Sequence, residues 1–251
     1  MNGNTLEFSL QQTSWSAVDE ARRLGENALP TVTTYSTDKN YKKRQIAVAC
    51  AGVIDGEGAG RILAAGLNDE NINVRLTAAK TLKAKPNPAA TETVLERLEN
   101  SQEEVIRQLL ALAAGSLPGE KTVEVLKKIE AANEGEVSDN AQMALAKLGD
   151  GKAKQAILSQ LDDALPRTRY NALEKLIYIN DPTLARYAGK LLGDKNPALM
   201  IGSLYTQKYR RVCDQAVDTL IFLLKLAVSF RSSVEIIYAD KEISEVESLT
   251  R

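Results

Sequence analysis

Histidine is absent from the 251 residues. That removes imidazole from every mechanism open to the chain: Ser-His-Asp and Cys-His nucleophile activation, helix-borne His zinc sites and titration near neutral pH. Cysteine is nearly absent, with Cys50 and Cys213 alone. Two thiols make no disulfide framework and leave too few soft ligands for a transition metal. Each lies in an apolar helical stretch ("IAVACAGVI", "RRVCDQAVDTL"), so both are read as buried free thiols. Aromatics make up 5% of the chain, and 32 Lys+Arg stand against 33 Asp+Glu. A near-neutral chain exerts no global pull on nucleic acid or anionic membrane. Long hydrophobic runs are missing too. The longest, "TLIFLLKLAVSF" over 219–230, contains Lys225, and falls short of the roughly 20 apolar residues a membrane-spanning helix needs. Residues 1–20 contain no apolar signal-peptide core. A cytoplasmic setting is expected, with an exported form lacking its signal left open.

What the chain does have is a beat. Arg44, Arg75, Arg107, Ser138 and Arg169 follow one another at 31 or 32 residues. Around these anchors the text is self-similar: "KRQIAVACAGVIDG", "VRLTAAKTLKAKPN", "IRQLLALAAGSLPG", "VSDNAQMALAKLGD", "TRYNALEKLIYIND". Small or apolar residues recur three, four and seven positions past each anchor, which is one helical face. Turn residues stop each helix at Asp55-Gly56, Pro86-Asn87-Pro88, Pro118-Gly119, Gly149-Asp150 and Asn180-Asp181. A second amphipathic segment follows each turn. A second grid marks the links: Asp38, Asp69, Asp163 and Asp194, with Ser101 and Ala132 in the intervening slots. Asp38, Asp69 and Asp163 each precede an anchor arginine (Arg44, Arg75, Arg169) by six residues.

The "VR..AA...L" of 74–82, the "ALAKLGD" of 144–150 and this Asp/Arg grid resemble the HEAT-repeat family, in particular its bacterial PBS-lyase HEAT-like type. The likeness covers residues 14–224. It implies an all-α fold, a right-handed α-α superhelix (HEAT-like solenoid) of about six helix pairs with irregular N- and C-terminal caps. One solenoid domain is expected over 1–251, with an arm at 1–13, repeats at 14–224 and a cap at 225–251. The resemblance implies a structural ladder for Asp38, Arg44, Asp69, Arg75, Arg107, Asp163, Arg169 and Asp194. Physical chemistry agrees with it. An Asp at a link accepts from the main-chain N–H groups of the next helix, and a half-buried Arg bridges neighbouring repeats.

The ends fit the grid poorly. Trp15 is placed as a cover for the first core layer. After Asp194 the rhythm slips, and a shortened first helix is expected before the apolar helix around 212–224. The stretch Val228–Ile237 is read as extended, and Asp240 as the N-cap of a last helix.

Candidate sites are few. "GVIDGEGAGRI" over 52–62 is glycine-rich before a helix, but a helix rather than a strand precedes it and the spacing is G-x-G-x-G. It reads as the turn of its repeat. Lys121, Lys127, Lys128, Lys152, Lys154, Arg186 and Lys190 lie on the second helices, which in HEAT-like solenoids usually line the concave face. They form either a solvated mixed face or a shallow basic groove for an acidic protein or a nucleic-acid backbone. Tyr205, Lys208, Tyr209, Arg210 and Arg211 cluster beside the rhythm break, and six of the eight tyrosines lie at or beyond residue 170. Tyrosine and arginine anchor many protein interfaces. Tyr205, Lys208, Tyr209, Arg210, Arg186 and Lys190 are therefore the candidate partner-binding residues. No catalytic, metal or cofactor residues are assigned. The expected function is a non-enzymatic scaffold binding another protein on its concave face or C-terminal repeats. A nucleic-acid binder of the HEAT DNA-glycosylase type and a tetrapyrrole (bilin) lyase-like protein are the alternatives, the last implied by the family label alone.

Overall fold

The computed structural model describes residues 5–133, 135–202 and 207–250. Among the described residues its regular elements are helices apart from one small hairpin. The chain divides into two compact units, Met1–Leu148 and Gly149–Arg251, where the repeat count led to a single domain.

The first unit holds ten helices: α1 (Thr5–Gln11), α2 (Ser16–Leu24), α3 (Leu29–Ser36), α4 (Tyr41–Ala51), α5 (Glu57–Leu67), α6 (Ile72–Ala84), α7 (Thr91–Asn100), α8 (Glu104–Ala114), α9 (Glu120–Ala131) and α10 (Glu136–Lys147). The even-numbered helices from α2 to α10 pack in one row, and α3, α5, α7 and α9 in another. The anchor arginines begin helices of the first row. Its buried positions are small: Ala47, Ala51, Ala78, Ala79, Ala111, Ala114, Ala141 and Ala144 have no exposed surface. Small side chains let helix axes approach. A Cβ built on Gly52, just past α4, would stand 2.1 Å from Thr81 Cγ2 of α6. The first row packs more extensively than the second. Within this unit the second helices, where the lysines were placed, therefore form the looser row.

Two local expectations change, and a third gains detail. Residues 5–11 of the arm form helix α1, with Leu6 and Leu10 fully buried, because helical spacing puts both leucines on one face. Trp15 is 55% exposed and covers no core layer. In the glycine turn, Gly56 takes φ +93° before α5, and its carbonyl accepts from Asn87 Nδ2 at 3.0 Å. The turn is thus held by the turn one repeat on. Asn87 Oδ1 also accepts from Ala89 N at 3.0 Å. Gly60 sits against this pair, and a Cβ there would lie 2.3 Å from Asn87 Oδ1 and 2.7 Å from Ala89 Cβ. Gly60→Ala is expected to destabilise by about 1–3 kcal/mol, the usual cost of overpacking. A urea titration should show a lower midpoint at unchanged slope, and an unchanged midpoint refutes the contact.

The links carry the polar grid. Asp38 Oδ1 accepts from Asn40 N at 2.8 Å, and Asn40 Oδ1 caps α4 through Lys42 N at 3.0 Å. Asp69 and Asn71 repeat this arrangement ahead of α6. Arg44 Nη1 donates to the main-chain oxygens of Asp38 and Lys39 at 2.9 and 3.2 Å. Its Nε and Nη2 clamp Asp69 at 2.7 and 2.9 Å. Each such arginine thus binds the carbonyls of its own link and the carboxylate of the next. Arg75 does so with Asp69 O at 2.8 Å and with Glu103, which stands in for the missing Asp and is itself held by the Ser101 hydroxyl at 2.5 Å. At Arg107 the arrangement alters: its Nε donates to Leu98 O at 2.9 Å, and the next link offers Ala132. Ser138 donates to Ile129 O at 2.8 Å in place of an arginine.

The second unit contains α11 (Gly151–Ser159), α12 (Pro166–Ile179), α13 (Ala185–Gly189), strands β1 (Pro197–Ile201) and β2 (Lys208–Arg211), α14 (Val212–Leu224) and α15 (Asp240–Leu249). The ladder returns: Arg169 Nη1 donates to Asp163 O at 2.6 Å and Nε to Asp194 at 2.7 Å. Lys154 pairs with Asp181 at 2.9 Å. The shortened helix expected after Asp194 is an antiparallel hairpin, with Met200 opposite Tyr209 and Ile201 opposite Lys208. Pro197 and Gly202, at φ +92°, interrupt helix here. Asn196 O and Asp194 O accept from Val212 N and Cys213 N, closing the hairpin base. Helix α14 is the apolar centre: Val212, Cys213, Ala216, Val217 and Leu220 are buried against α12 and α13. Residues 228–237 form no strand. Asp240 is the first helical residue rather than the N-cap; Glu242 accepts from Ala239 N at 2.7 Å, and Asp240 pairs with Lys195.

Several carboxyls of these links sit below their ordinary range. Burial pushes Asp69 up, but the Arg44 and Asn71 hydrogen bonds outweigh it and leave it lowered. The Thr183 hydroxyl, then Lys154, hold Asp181 down to about 2. A depressed folded-state value contributes stability that is complete above the unfolded value and lost as pH falls through the folded one. Melting temperature is therefore expected to be level above about pH 5 and to drop between about pH 4 and 2. Asp181→Asn should remove part of that drop, and an identical acid profile in the variant refutes the assignment.

Candidate functional site

The candidate cluster near the rhythm break resolves into two layers. Arg210 lies on β2 between exposed Tyr209 and half-buried Arg211 and points inward, with 0% of its surface exposed. Its Nη2 meets Asp218 Oδ2 at 2.7 Å, and its Nη1 donates to Tyr170 Oη and Val234 O, both at 3.1 Å. Tyr238 Oη donates to Asp218 Oδ1 at 2.5 Å. Alongside, Arg211 forks onto Asp214 at 2.7 and 3.1 Å and reaches Tyr238 O at 2.6 Å, while Asp214 Oδ1 accepts from Tyr238 N at 3.0 Å. Burial disfavours the Arg210 charge, but the Asp218 carboxylate reverses the balance and holds it charged. Burial and then Asp218 push the Tyr238 phenol up. Arg210 thus ties β2 to α12, α14 and the chain past 225. Its assignment as a partner-binding residue is corrected: with no surface exposed, it is an internal anchor.

The outer layer is different. Lys208 is exposed, and Tyr209 and its cross-strand partner Met200 are 53% and 52% exposed. Tyr205 lies outside the described residues. Arg186 and Lys190, one turn apart on and just past α13, are both exposed. They bracket Tyr187: Arg186 Cζ stands 4.9 Å and Lys190 Nζ 5.5 Å from the ring centroid, and Arg186 Nη2 donates to Tyr187 Oη at 3.1 Å. No hydrogen bond, ion pair or ring contact joins Lys208 and Tyr209 to Arg186 and Lys190 among the described residues.

Sequence reasoning passed over Tyr170, Tyr187, Asp214, Asp218 and Tyr238. The signal available was the pair of aspartates four residues apart inside the otherwise apolar "VCDQAVDTLIFLL" of α14. Buried carboxylates in such a helix require a cation, and Arg210 and Arg211 stand immediately before it. Tyr238 gave no signal, since it meets Asp218 only through the fold.

The proposed basic row is partly neutralised: Lys128 pairs with Glu99 at 2.7 Å and Lys154 with Asp181. That weakens the case for a phosphate-backbone groove. Both cysteines are free and buried, and burial pushes their thiols up to about 12 for Cys50 and about 11 for Cys213. Neither is a nucleophile in this state. No group of three or more Cys, Asp or Glu among the described residues is disposed to hold a metal ion. No helix among them is long and apolar enough to cross a membrane.

Comparison with known proteins follows from this geometry. The HEAT repeats family model matches residues 29–114 and again 61–146. No curated protein matches the chain. Among solved structures, YibA of Escherichia coli is 20% identical, with a TM-score of 0.51, covering 100% of this chain and 93% of that one. The complex of CpcE and CpcF of phycocyanin lyase from Nostoc sp. PCC7120 is 15% identical, with a TM-score of 0.59, covering 99% of this chain and 96% of that one. This second likeness overturns the expectation of no enzymatic role. That expectation rested on the absence of a familiar catalytic constellation, and here the same fold is found in the complex of a lyase. Identities this low establish fold alone, the all-α HEAT-like superhelix class. The helix pairs of 29–146 match the HEAT repeats family model.

Proposed function

We propose that the chain is a protein-binding repeat scaffold whose C-terminal unit carries the docking surface. The observation that carries this reading is the Tyr209–Met200 pair, two large side chains left half-exposed side by side beside Lys208. The strand beneath them is fixed by a buried arginine. An aromatic ring on a fixed backbone loses little entropy on docking, and the flexible thioether beside it adapts to the surface it meets. Cross-linking mass spectrometry of the tagged chain in its native host tests the reading. Cross-links from Lys208 to one partner are expected, and a Tyr209→Ser/Met200→Ser variant of unchanged melting temperature should lose them. Equal cross-linking by that variant overturns the surface.

A second reading, a tetrapyrrole-related lyase, draws support from the fold shared with the CpcE–CpcF complex over nearly the whole of both chains. Titration of a bilin is its test: a saturable change in the bilin absorbance supports it, and an unchanged spectrum at tens of micromolar removes it.

A further inference from the structure

Helices α13, α14 and α15 enclose a cleft of about 510 Å³. Its apolar lining comes from Leu192, Leu220 and Leu224, the last 37% exposed. One wall is Arg186, Gly189 and Lys190; the other is Glu247 of α15 and Thr250 just past it. A Cβ on Gly189 would meet nothing within 4 Å, so the space above α13 is open.

Arg169, Arg210 and Arg211 all bind carboxylates, as do Lys154 and Lys195. Arg186 and Lys190 line the same cleft, and among the described residues no salt bridge joins them to a carboxylate; both lie against the Tyr187 ring. A guanidinium and an ammonium one turn apart beside an apolar floor match a ligand with two carboxylates one turn apart and an aliphatic side chain beside them. A guanidinium already oriented by an aromatic ring binds a carboxylate at reduced entropic cost.

We propose that this cleft is the docking site for an acidic, leucine-bearing peptide segment of a partner protein. Its carboxylates pair with Arg186 and Lys190, and its aliphatic side chain covers the exposed face of Leu224. The proposal deepens the protein-binding reading by naming the chemistry of the partner and a second contact point away from Tyr209.

Fluorescence anisotropy on the full chain tests it. The probe is a fluorescein-labelled nine-residue peptide of glutamate and leucine, with glutamine-for-glutamate and lysine-for-glutamate versions as controls. The glutamate peptide should bind with a dissociation constant on the order of tens of micromolar and weaken several-fold when salt is raised from about 50 to about 300 mM. Arg186→Glu/Lys190→Glu should weaken it at least about tenfold at unchanged melting temperature, and the neutral Leu224→Ser should weaken it by a factor independent of salt. Both control peptides should bind at least about tenfold more weakly. Equal binding of the controls, equal affinity in the charge-reversed variant, or no binding at several hundred micromolar overturns the proposal. So does preferential capture of the chain by phosphatidylserine vesicles through the same two residues. The Tyr209→Ser/Met200→Ser variant should bind the peptide normally, so failure of the hairpin surface and failure of this cleft are separate results.

Discussion

Arg210→Ala is expected to destabilise the second unit by about 3–5 kcal/mol, the usual cost of removing one partner from a buried ion pair. The size follows from what the substitution strands. Asp218 is 11% exposed and keeps only the Tyr238 hydroxyl among the contacts described above, while Tyr170 Oη and Val234 O each lose a donor. The side chain also vacates a large volume, since Arg210 heads the fully buried side chains by size. Unfolding followed by tryptophan-independent far-UV dichroism should show a lower midpoint. Hydrogen exchange should accelerate first at 208–211 and 233–239, the segments the arginine joins. Tyr238→Phe removes one hydrogen bond to a charged acceptor and should cost about 1.5–3 kcal/mol. If Arg210→Ala melts like the parent and exchanges no faster, the buried network does not hold the hairpin.

Arg44→Ala should destabilise the first unit by a similar amount, about 3–5 kcal/mol, or a melting temperature lower by roughly 10 °C. Arg44 is 7% exposed and gives up five hydrogen bonds: two to Asp69, one to Glu70 and two to main-chain oxygens. Asp69 remains behind with its carboxylate 10% exposed and only the Asn71 N–H. The control that separates ladder from bulk is Arg61→Ala, whose partner Glu57 is exposed like itself and whose loss should leave the melting temperature essentially unchanged. Asp69→Asn combined with Arg44→Ala should cost less than the two single changes added together, because the interaction lost is shared. Strict additivity would show that the two side chains do not depend on each other.

These two experiments contrast what was legible in the sequence with what was not. The ladder positions could be read because a repeat writes the same physical need many times. Arg44, Arg75 and Arg169 stand at equivalent slots, and so do Asp38, Asp69, Asp163 and Asp194. The structure puts each arginine on the carbonyl of its own link, and puts carboxylates of neighbouring links within reach. Even the substitutions of the pattern have local reasons, as Ser101 hands the acceptor role to Glu103 two residues on. The C-terminal knot had no second copy to compare. Arg210 looked like a surface anchor because Tyr209 and Lys208 beside it are surface residues, and alternation along a strand is invisible where a helix is expected. Tyr238 and Asp218 are 20 residues apart with no periodic relation, so their hydrogen bond is a property of the folded chain.

The sequence by itself determined the helix pairs, their turns and the links between them. Those features follow from spacing within about ten residues, where backbone geometry and side-chain size act directly. Only the tertiary structure decided that the chain forms two units, that residues after Asp194 pair as strands, and that Arg210 faces inward while Arg186 and Lys190 face a cleft. Each of those outcomes turns on which distant groups become neighbours. Burial sets the free energy of a charge through those neighbours, and the spacing of residues along the chain carries no record of them.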